Sequence, residues 1–491
     1  MNTNSIPVSA EQLSSSAREL DLPINLDVKL NDSAQIERVE ILRFFRILPG
    51  KRVVCLARWH DHLVVAKIFL APKRWQRHLA KESNGIPMLA GEGISTPQIE
   101  GLGVTACGEA GVLLLQYLDN SRSLKKSWKK SSEKDRVLLL RKAVKLIADC
   151  HSRGLIQHDI HLDNFLLQDD HIYLLDAADV EKRETQNPGD GLDSMRSLQN
   201  LALFFAQFPV SNDDYVPQMY DYYRDLRPEL GFTSDLQLFK ALLRKKRLKR
   251  IDIVLKKLFR SSSANICTRT WDSFVVYRRN LRSPAWQAFI DNPDKLMASG
   301  EKLKNGNSST VVKIDIDGKP YVVKRYNLKS TAHFLRRMFR PSRAWVSWRN
   351  AHLLRMLGVS TPAPKLMMER RFGLLRRQAY FVSKFSKGDD VKHTLDSEPI
   401  NSPLWQRALK QYDQLFAIMA EYGIVHGDTK ATNFVLGPKR LKILDLDAMS
   451  LEPDSSRFRK AFEKDLQRFA DNWVKDESKY KRVSEMLDRH R

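Results

Sequence analysis

A chain of 491 residues exceeds one ordinary compact domain and fits two of roughly 200–250 residues each. Its composition, 42% hydrophobic and 29% charged, excludes a disordered or fibrous protein. A formal net charge of +24 favours an anionic partner, whether nucleic acid, an anionic membrane face or a heavily phosphorylated substrate.

In chain order, residues 1–38 read as a polar extension. Its start, MNTNSIPVSAEQLSSS, lacks the basic opening and apolar core of a secretory signal. The most apolar stretch, Leu201 to Val210, is broken by Gln207 and has about half the length of a membrane-spanning helix. Cys55, Cys107, Cys150 and Cys267 are scattered without metal-ligand spacing and read as reduced thiols of a cytosolic protein. Basic runs stand at Lys125–Lys130, Arg244–Arg250 and Arg336–Arg349. Each run alone also reads as a solvated helix face, whereas the whole-chain excess does not depend on where any run points.

One order of features occurs twice. A strand-like run ends in a lysine, Leu63–Lys67 and Tyr321–Lys324, and a basic helical stretch follows. A matching phrase comes next, Gly93-Ile94-Ser95-Thr96-Pro97 against Gly358-Val359-Ser360-Thr361-Pro362. Then come an apolar strand (Val112–Leu118; Ala379–Phe385) and a long helix ending in glycine, Gly154 or Gly423. After each glycine lies an Asp-x4-Asn loop, Asp159 to Asn164 and Asp428 to Asn433, and then a strand ending in Asp176 or Asp445. That strand aspartate stands 17 residues after the loop aspartate in both copies. A solitary Asp-x4-Asn is easily a turn or helix cap. Two ordered copies with equal spacing are a specific signal. Pro188–Gly191 reads as a loop within the first copy. The boundary is expected within Ser261–Ser299, where Ser261–Asn265 and Ser283-Pro284 interrupt the helical periodicity.

These residue types suit phosphoryl transfer, which demands positioning and charge neutralisation. Asp159 and Asp428 are candidates to orient an acceptor hydroxyl and take its proton. Asn164 with Asp176, and Asn433 with Asp445, offer the hard oxygen ligands that Mg²⁺ requires. Asp447 adds a further possible ligand. Lys67 and Lys324 can reach the α- and β-phosphates, and His161 and Lys430 stand where they could steady the transferring phosphate. His151, His171 and His333 match no such role and read as surface or packing residues.

These residues resemble the protein-kinase-like superfamily, whose catalytic loop reads H-x-D-x4-N and whose metal strand ends in D-F-G. More closely, Arg46–Trp59 with Val64–Phe69, Gln157–Leu167, and Arg340–Trp345 through Pro364 resemble the lipopolysaccharide core kinases, which phosphorylate heptose or Kdo. The resemblance implies an α+β chain of two tandem bilobal domains, each with a small β-rich lobe and a helical lobe. The expected boundaries are 39–270 and 299–491, with 271–298 as the transition. It also implies ATP and Mg²⁺ as cofactors and lipid A–core oligosaccharide as substrate. Work at the cytoplasmic face of the inner membrane follows, peripheral on an anionic surface and in possible association with other core-assembly enzymes. No nucleic acid is expected.

The sequence departs from the kinase pattern in several places. Gly50 and Lys51 are the expected phosphate cover of the first copy, and Gly306 and Ser308, within Asn305–Thr310, that of the second; each loop has one glycine. Gln157 replaces the catalytic-loop histidine that the second copy keeps as His426. Glu82 is placed to pair with Lys67, whereas no acid lies between Asp317 and Glu369 to serve Lys324. At least one copy is expected to be active, with the first slightly favoured. A non-catalytic nucleotide-binding scaffold, or a kinase for another small-molecule or protein acceptor, fits the same motifs.

Overall fold

The computed structural model describes residues 7–31, 33–183, 191–231, 235–306, 308–327, 340–373, 375–438, 440–452 and 454–491. Residues 188–190 of the expected loop, Asn307, His333 and residues 336–339 of the third basic run lie outside the described residues. Chain contacts divide the molecule into two units, residues 1–207 with 212–250, and 208–211 with 251–491. Both mix α and β structure, as expected of an α+β chain.

In the first unit six strands close an antiparallel barrel: β1 Ile24–Leu30, β2 Glu37–Leu48, β3 Arg52–Trp59, β4 His62–Phe69, β5 Ile99–Thr105 and β6 Gly111–Gln116. The order is β1-β2-β3-β4-β6-β5, with β5 returning to β1. Alternation explains the interior, because residues two apart share a face. Val53, Cys55 and Ala57 of β3 and Val64, Ala66 and Ile68 of β4 are fully buried in one core with Leu26, Val28 and Leu30 of β1. Closure needs Gly103, where an added Cβ would stand 1.9 Å from the Lys29 carbonyl oxygen. Residues 1–38 are therefore not merely a polar extension. Three of their hydrophobic residues alternate along β1 and supply its inward face, and Val8, Ala10, Leu13 and Ala17 join the same core.

Outside the barrel, helix Trp75–Gly91 follows the lysine strand, and the longer helices beyond it are Glu133–Ser152, Ser194–Phe205, Val216–Leu226 and Leu236–Lys257, with the short hairpin Phe165–Gln168 and His171–Leu174. Ser132 starts the second of these with a reciprocal capping box to Asp135, satisfying otherwise orphaned amide groups. The division between units falls inside helix Leu236–Lys257.

The second unit holds a seven-stranded antiparallel sheet. Its order is Asn265–Arg269, Ser273–Arg278, Pro364–Phe372, Leu375–Lys384, Lys319–Tyr326, Ser309–Ile316, Glu301–Gly306. Its core includes Val275, Trp286, Phe289, Val323, Met368 and Val382. Residues 271–298 are thus no linker. The Ser- and Pro-rich breaks are the hairpin and helix starts of an edge of the sheet, and Trp286 and Phe289 plug its core. Helices Arg343–Leu357, Pro403–Tyr422, Ser455–Ala470 and Glu477–Leu487 complete the unit. Gly423 ends the second of these at a left-handed φ of 66°, which a residue without Cβ adopts freely.

If β1 belongs to the barrel core, Leu30→Ala should destabilise the first unit by about 2–5 kcal/mol. Denaturant melts check this, and an unchanged midpoint would restore the reading of residues 1–38 as an extension.

Candidate functional site

In the first unit, the inward alternation of β4 turns Lys67 to the opposite face, toward helix Trp75–Gly91. Lys67 Nζ meets Glu82 Oε1 at 2.5 Å, and the glutamate is fully buried. Arg52 Nη1 lies 3.5 Å from Glu82 Oε2, and Arg52 Nη2 lies 3.8 Å from Asp176 Oδ2. Burial pushes the Glu82 carboxyl up, against the pull of Lys67. For Asp176 burial also raises the carboxyl, but Lys67 and Arg52 outweigh it and hold it below its usual range. The helix sits close to the metal strand because residue 85 is glycine. A Cβ there would stand 2.1 Å from the Ala177 carbonyl oxygen. Arg46, Arg52, Lys67, Glu82, Asn164 and Asp176 share one cleft of about 630 Å³.

Gln157 fills the place of the missing histidine. Its Oε1 accepts the Asp159 amide at 3.0 Å and its Nε2 donates to the Asp176 carbonyl at 2.5 Å. His426 bridges the same two segments in the second unit. Its Nδ1 accepts the Asp428 amide at 3.3 Å, so Nε2 carries the proton toward the Leu444 carbonyl, 3.0 Å away. The glutamine is therefore a replacement in kind, since an amide also offers one acceptor and one donor. Asn164 Nδ2 donates to the Asp159 carbonyl at 2.8 Å, and Asn433 Nδ2 to the Asp428 carbonyl at 2.8 Å. Asp176 and Asp445 both adopt left-handed φ values, 60° and 51°. Such a conformation is costly for a residue with a side chain and clusters at functional sites.

The second unit treats its charges differently. Lys324 Nζ meets Asp445 Oδ1 at 2.5 Å and Asp447 Oδ2 at 2.8 Å. Arg343, on the helix that follows, holds Asp447 at 2.9 Å. Burial raises the Asp447 carboxyl, but Lys324 and Arg343 together bring it down to about 2. Asp428 Oδ1 lies 3.0 Å from Arg468 and 3.9 Å from Lys430. In the first unit His161 lies 3.7 Å from the Asp159 carboxylate, whose side chain is 59% exposed, and Arg250 stands within electrostatic reach of it. Burial chiefly lowers the His161 imidazole.

Two expectations change. Gly50 and Lys51 stand outside the cleft, and their amides already donate to the Ser14 and Leu48 carbonyls, at 3.1 and 3.0 Å. The cleft takes Arg46 and Arg52 instead. Asp447 has both oxygens engaged by cations, so it partners the lysine rather than standing free as a metal ligand. Gly306 and Ser308 flank the loop beside the lysine strand. The Ser308 carbonyl accepts the Asn327 amide at 3.2 Å and lies 3.5 Å from Arg343 Nη1.

The basic runs carry specific pairs as well. Lys125 meets Asp163 at 2.5 Å, Lys126 lines the cleft, and buried Arg247 holds Asp213 at 2.6 Å.

Sequence reasoning missed the helix that pins each loop. Asn200 donates to the Gln157 carbonyl at 3.0 Å and Gln207 accepts the Leu162 amide at 2.8 Å. In the second unit Asp465 accepts the His426 and Gly427 amides at 2.6 and 3.0 Å, and Asn472 accepts the Ala431 amide at 2.9 Å. Both pairs are seven residues apart, and Leu201 and Phe204 match Leu466 and Phe469 between them. A search for that spacing would have found them. The matching Gly-x-Ser-Thr-Pro phrases also gain a purpose. The Ser95 and Ser360 carbonyls accept the Leu174 and Ile443 amides of the strands that precede Asp176 and Asp445 at 2.8 and 2.9 Å.

His151, read as an ordinary packing residue, is buried between Tyr223 and Asn200, at 2.7 and 3.0 Å, and so backs the loop anchor. Burial pushes its imidazole down to about 4 from an ordinary 6.5. A lowered histidine favours the fold above its unfolded value and loses that advantage as pH falls toward the folded one. The stability margin of wild type over His151→Gln should therefore shrink by up to about 3 kcal/mol between pH 7 and pH 4. Urea melts across that range check this, and a margin independent of pH would contradict it.

Among the described residues no helix is long and apolar enough to cross a membrane. No curated protein matches the chain. The model of the lipopolysaccharide kinase (Kdo/WaaP) family matches residues 287–486, a span that contains Lys324, Asp428, Asn433, Asp445 and their anchor Asp465. Residues 287–486 of the second unit are thus similar to the lipopolysaccharide kinase (Kdo/WaaP) family.

Proposed function

We propose that the chain is an ATP- and Mg²⁺-dependent phosphotransferase acting on a heptose or Kdo hydroxyl of the lipopolysaccharide inner core. It would do so from two tandem kinase-like bilobal units, at least one of them active. One observation carries this reading: each unit holds a loop aspartate, a loop asparagine and a strand aspartate in one frame, opposite a strand lysine.

The donor set fits a hard cation. With Nδ2 committed to the Asp159 carbonyl, the Asn164 Oδ1 accepts no hydrogen bond among the described residues, and Asp176 shares its cleft. Among the described residues no cluster of three His, Cys, Asp or Glu could hold a metal alone. Mg²⁺ ordinarily relies on one or two protein groups plus substrate phosphates. When bound it would neutralise negative charge developing on the transferring phosphate. Asn164 and Asp176, or Asn433 and Asp445, would hold it. Lys67, fixed by Glu82, would hold the α- and β-phosphates. Asp159 would orient the acceptor hydroxyl and take its proton, and His161 would steady the transferring phosphate. In the second unit Lys324, Asp428 and Lys430 would take the matching roles.

The first unit is the stronger candidate for turnover, because Asp159 is open whereas Arg468 already occupies Asp428. For the same reason a second unit that binds nucleotide without transferring phosphate is the alternative worth testing. The basic surface suits a phosphate- and carboxylate-bearing acceptor and peripheral attachment at the cytoplasmic face of the inner membrane, beside other enzymes of core assembly.

Purified protein with Mg²⁺-ATP and dephosphorylated core oligosaccharide should gain one phosphate mass per acceptor site. Asp159→Ala should cut the rate by roughly 100-fold or more, as loss of a general base does. Transfer surviving each single substitution, Asp159→Ala and Asp428→Ala, but not the double variant would mean two working sites. No transfer by wild type that binds ATP would remove the sugar-kinase reading. Asp447 gives a separate test. In a Lys67→Met background, Asp447→Asn should weaken nucleotide binding equally with and without Mg²⁺, whereas Asp445→Asn should remove only the Mg²⁺-dependent part. Fluorescent-nucleotide titration reads this, and loss of Mg²⁺ dependence in Asp447→Asn would make it a ligand after all.

A further inference from the structure

Two large aromatic side chains of the second unit face solvent side by side. Trp271 is 69% exposed and Phe372 62% exposed, with ring centroids 5.6 Å apart in an edge-to-face pair. They sit at two neighbouring hairpin turns, Arg269–Ser273 and Phe372–Leu375. The turns are tied rigidly. The Gly373 amide donates to the Trp271 carbonyl at 2.9 Å, and the Arg371 amide to the Asp272 carbonyl at 2.7 Å. Gly373 lets the indole lie against the backbone, where an added Cβ would come within 2.9 Å of the ring. Both exposed rings thus stand beside backbone that is hydrogen-bonded between the two hairpins.

A collar of arginines surrounds the pair. Arg269, Arg370, Arg371, Arg376 and Arg377 stand in the same two hairpins against only Asp272 and Glu369. Glu369 is fully buried, where it pairs with Arg371 and lies 3.5 Å from Arg376. The Arg269 and Arg371 guanidinium groups lie over the Phe274 ring, at 4.7 and 4.6 Å; Arg371 is drawn inward to Glu369, whereas Arg269 and Arg377 are exposed. The face is thus apolar at its tip and cationic around it.

We propose that this hairpin pair is a docking surface for an anionic lipid bilayer, with Trp271 and Phe372 entering the headgroup layer and the arginines contacting lipid phosphates. Aromatic rings settle at the membrane–water interface, and basic residues beside them are drawn to anionic leaflets. Projecting tips fit a soft planar partner better than a base-stacking platform, which needs open ring faces; the two rings pack edge to face on each other. The proposal deepens the peripheral-membrane part of the proposed function, yet its test needs neither nucleotide nor lipopolysaccharide.

The test is co-sedimentation of the full chain with phosphatidylcholine vesicles and with vesicles containing about one-third phosphatidylglycerol. Binding should require the anionic lipid and weaken as salt rises. The double variant Trp271→Ala/Phe372→Ala should bind roughly tenfold or more weakly, because it loses interfacial apolar area. Arg269→Glu/Arg377→Glu should lose the anionic preference. Nucleotide binding should be unchanged in both, which guards against misfolding. Undiminished vesicle binding by the aromatic variant would overturn the proposal. So would binding of the wild type to single-stranded RNA but not to vesicles. Failure here leaves the phosphate-transfer assay unaffected, so the two readings fail separately.

Discussion

One side chain, two residues before each loop aspartate, ties that aspartate to the strand carrying its partner carboxylate. Gln157 does this with an amide and His426 with an imidazole. The bridge fixes the distance between two carboxylates that would otherwise repel. From it follow the position of Asn164 or Asn433, the left-handed turn at Asp176 or Asp445, and the face on which a lysine must stand. A buried bridge of this kind is costly to leave half made, so each unit surrounds it with further bonds from one helix and the turn after it. In the first unit these come from Asn200 and Gln207, and in the second from Asp465 and Asn472.

With the loops held alike, the units differ in how they balance the lysine. The first uses a buried glutamate from the helix, close enough only because Gly85 admits the turn after Asp176. The second reverses the signs. Its helix contributes Arg343, and the acid comes from the segment after the metal strand as Asp447. Either arrangement couples helix position to lysine position. The second also places more cations on its carboxylates, which is the physical ground for expecting the units to differ in turnover.

The parts of this architecture that were legible in the sequence are local. Asp-x4-Asn and the strand aspartate sit at fixed short spacings because one loop and one hairpin connect them, and the strand lysine is recognised by its own strand pattern. What escaped depends on distant partners. Arg343 and Asp447 are 104 residues apart, and no spacing signals their contact. Asn200 and Asp465 hold their loops from 41 and 37 residues downstream, different distances that hide a shared role. The strand Ile24–Leu30 was hidden by its polar surroundings, since only its alternate residues are apolar. The edge strands and helices of 265–298 were hidden by turn residues that mark hairpins as readily as linkers.

The central claim is that both units retain one nucleotide-and-metal frame. Equilibrium dialysis of the full chain against ATP with Mg²⁺ tests it most directly. Two bound nucleotides per chain are predicted, one lost on Lys67→Met and the other on Lys324→Met. A single nucleotide per chain, or binding indifferent to both substitutions, would contradict it.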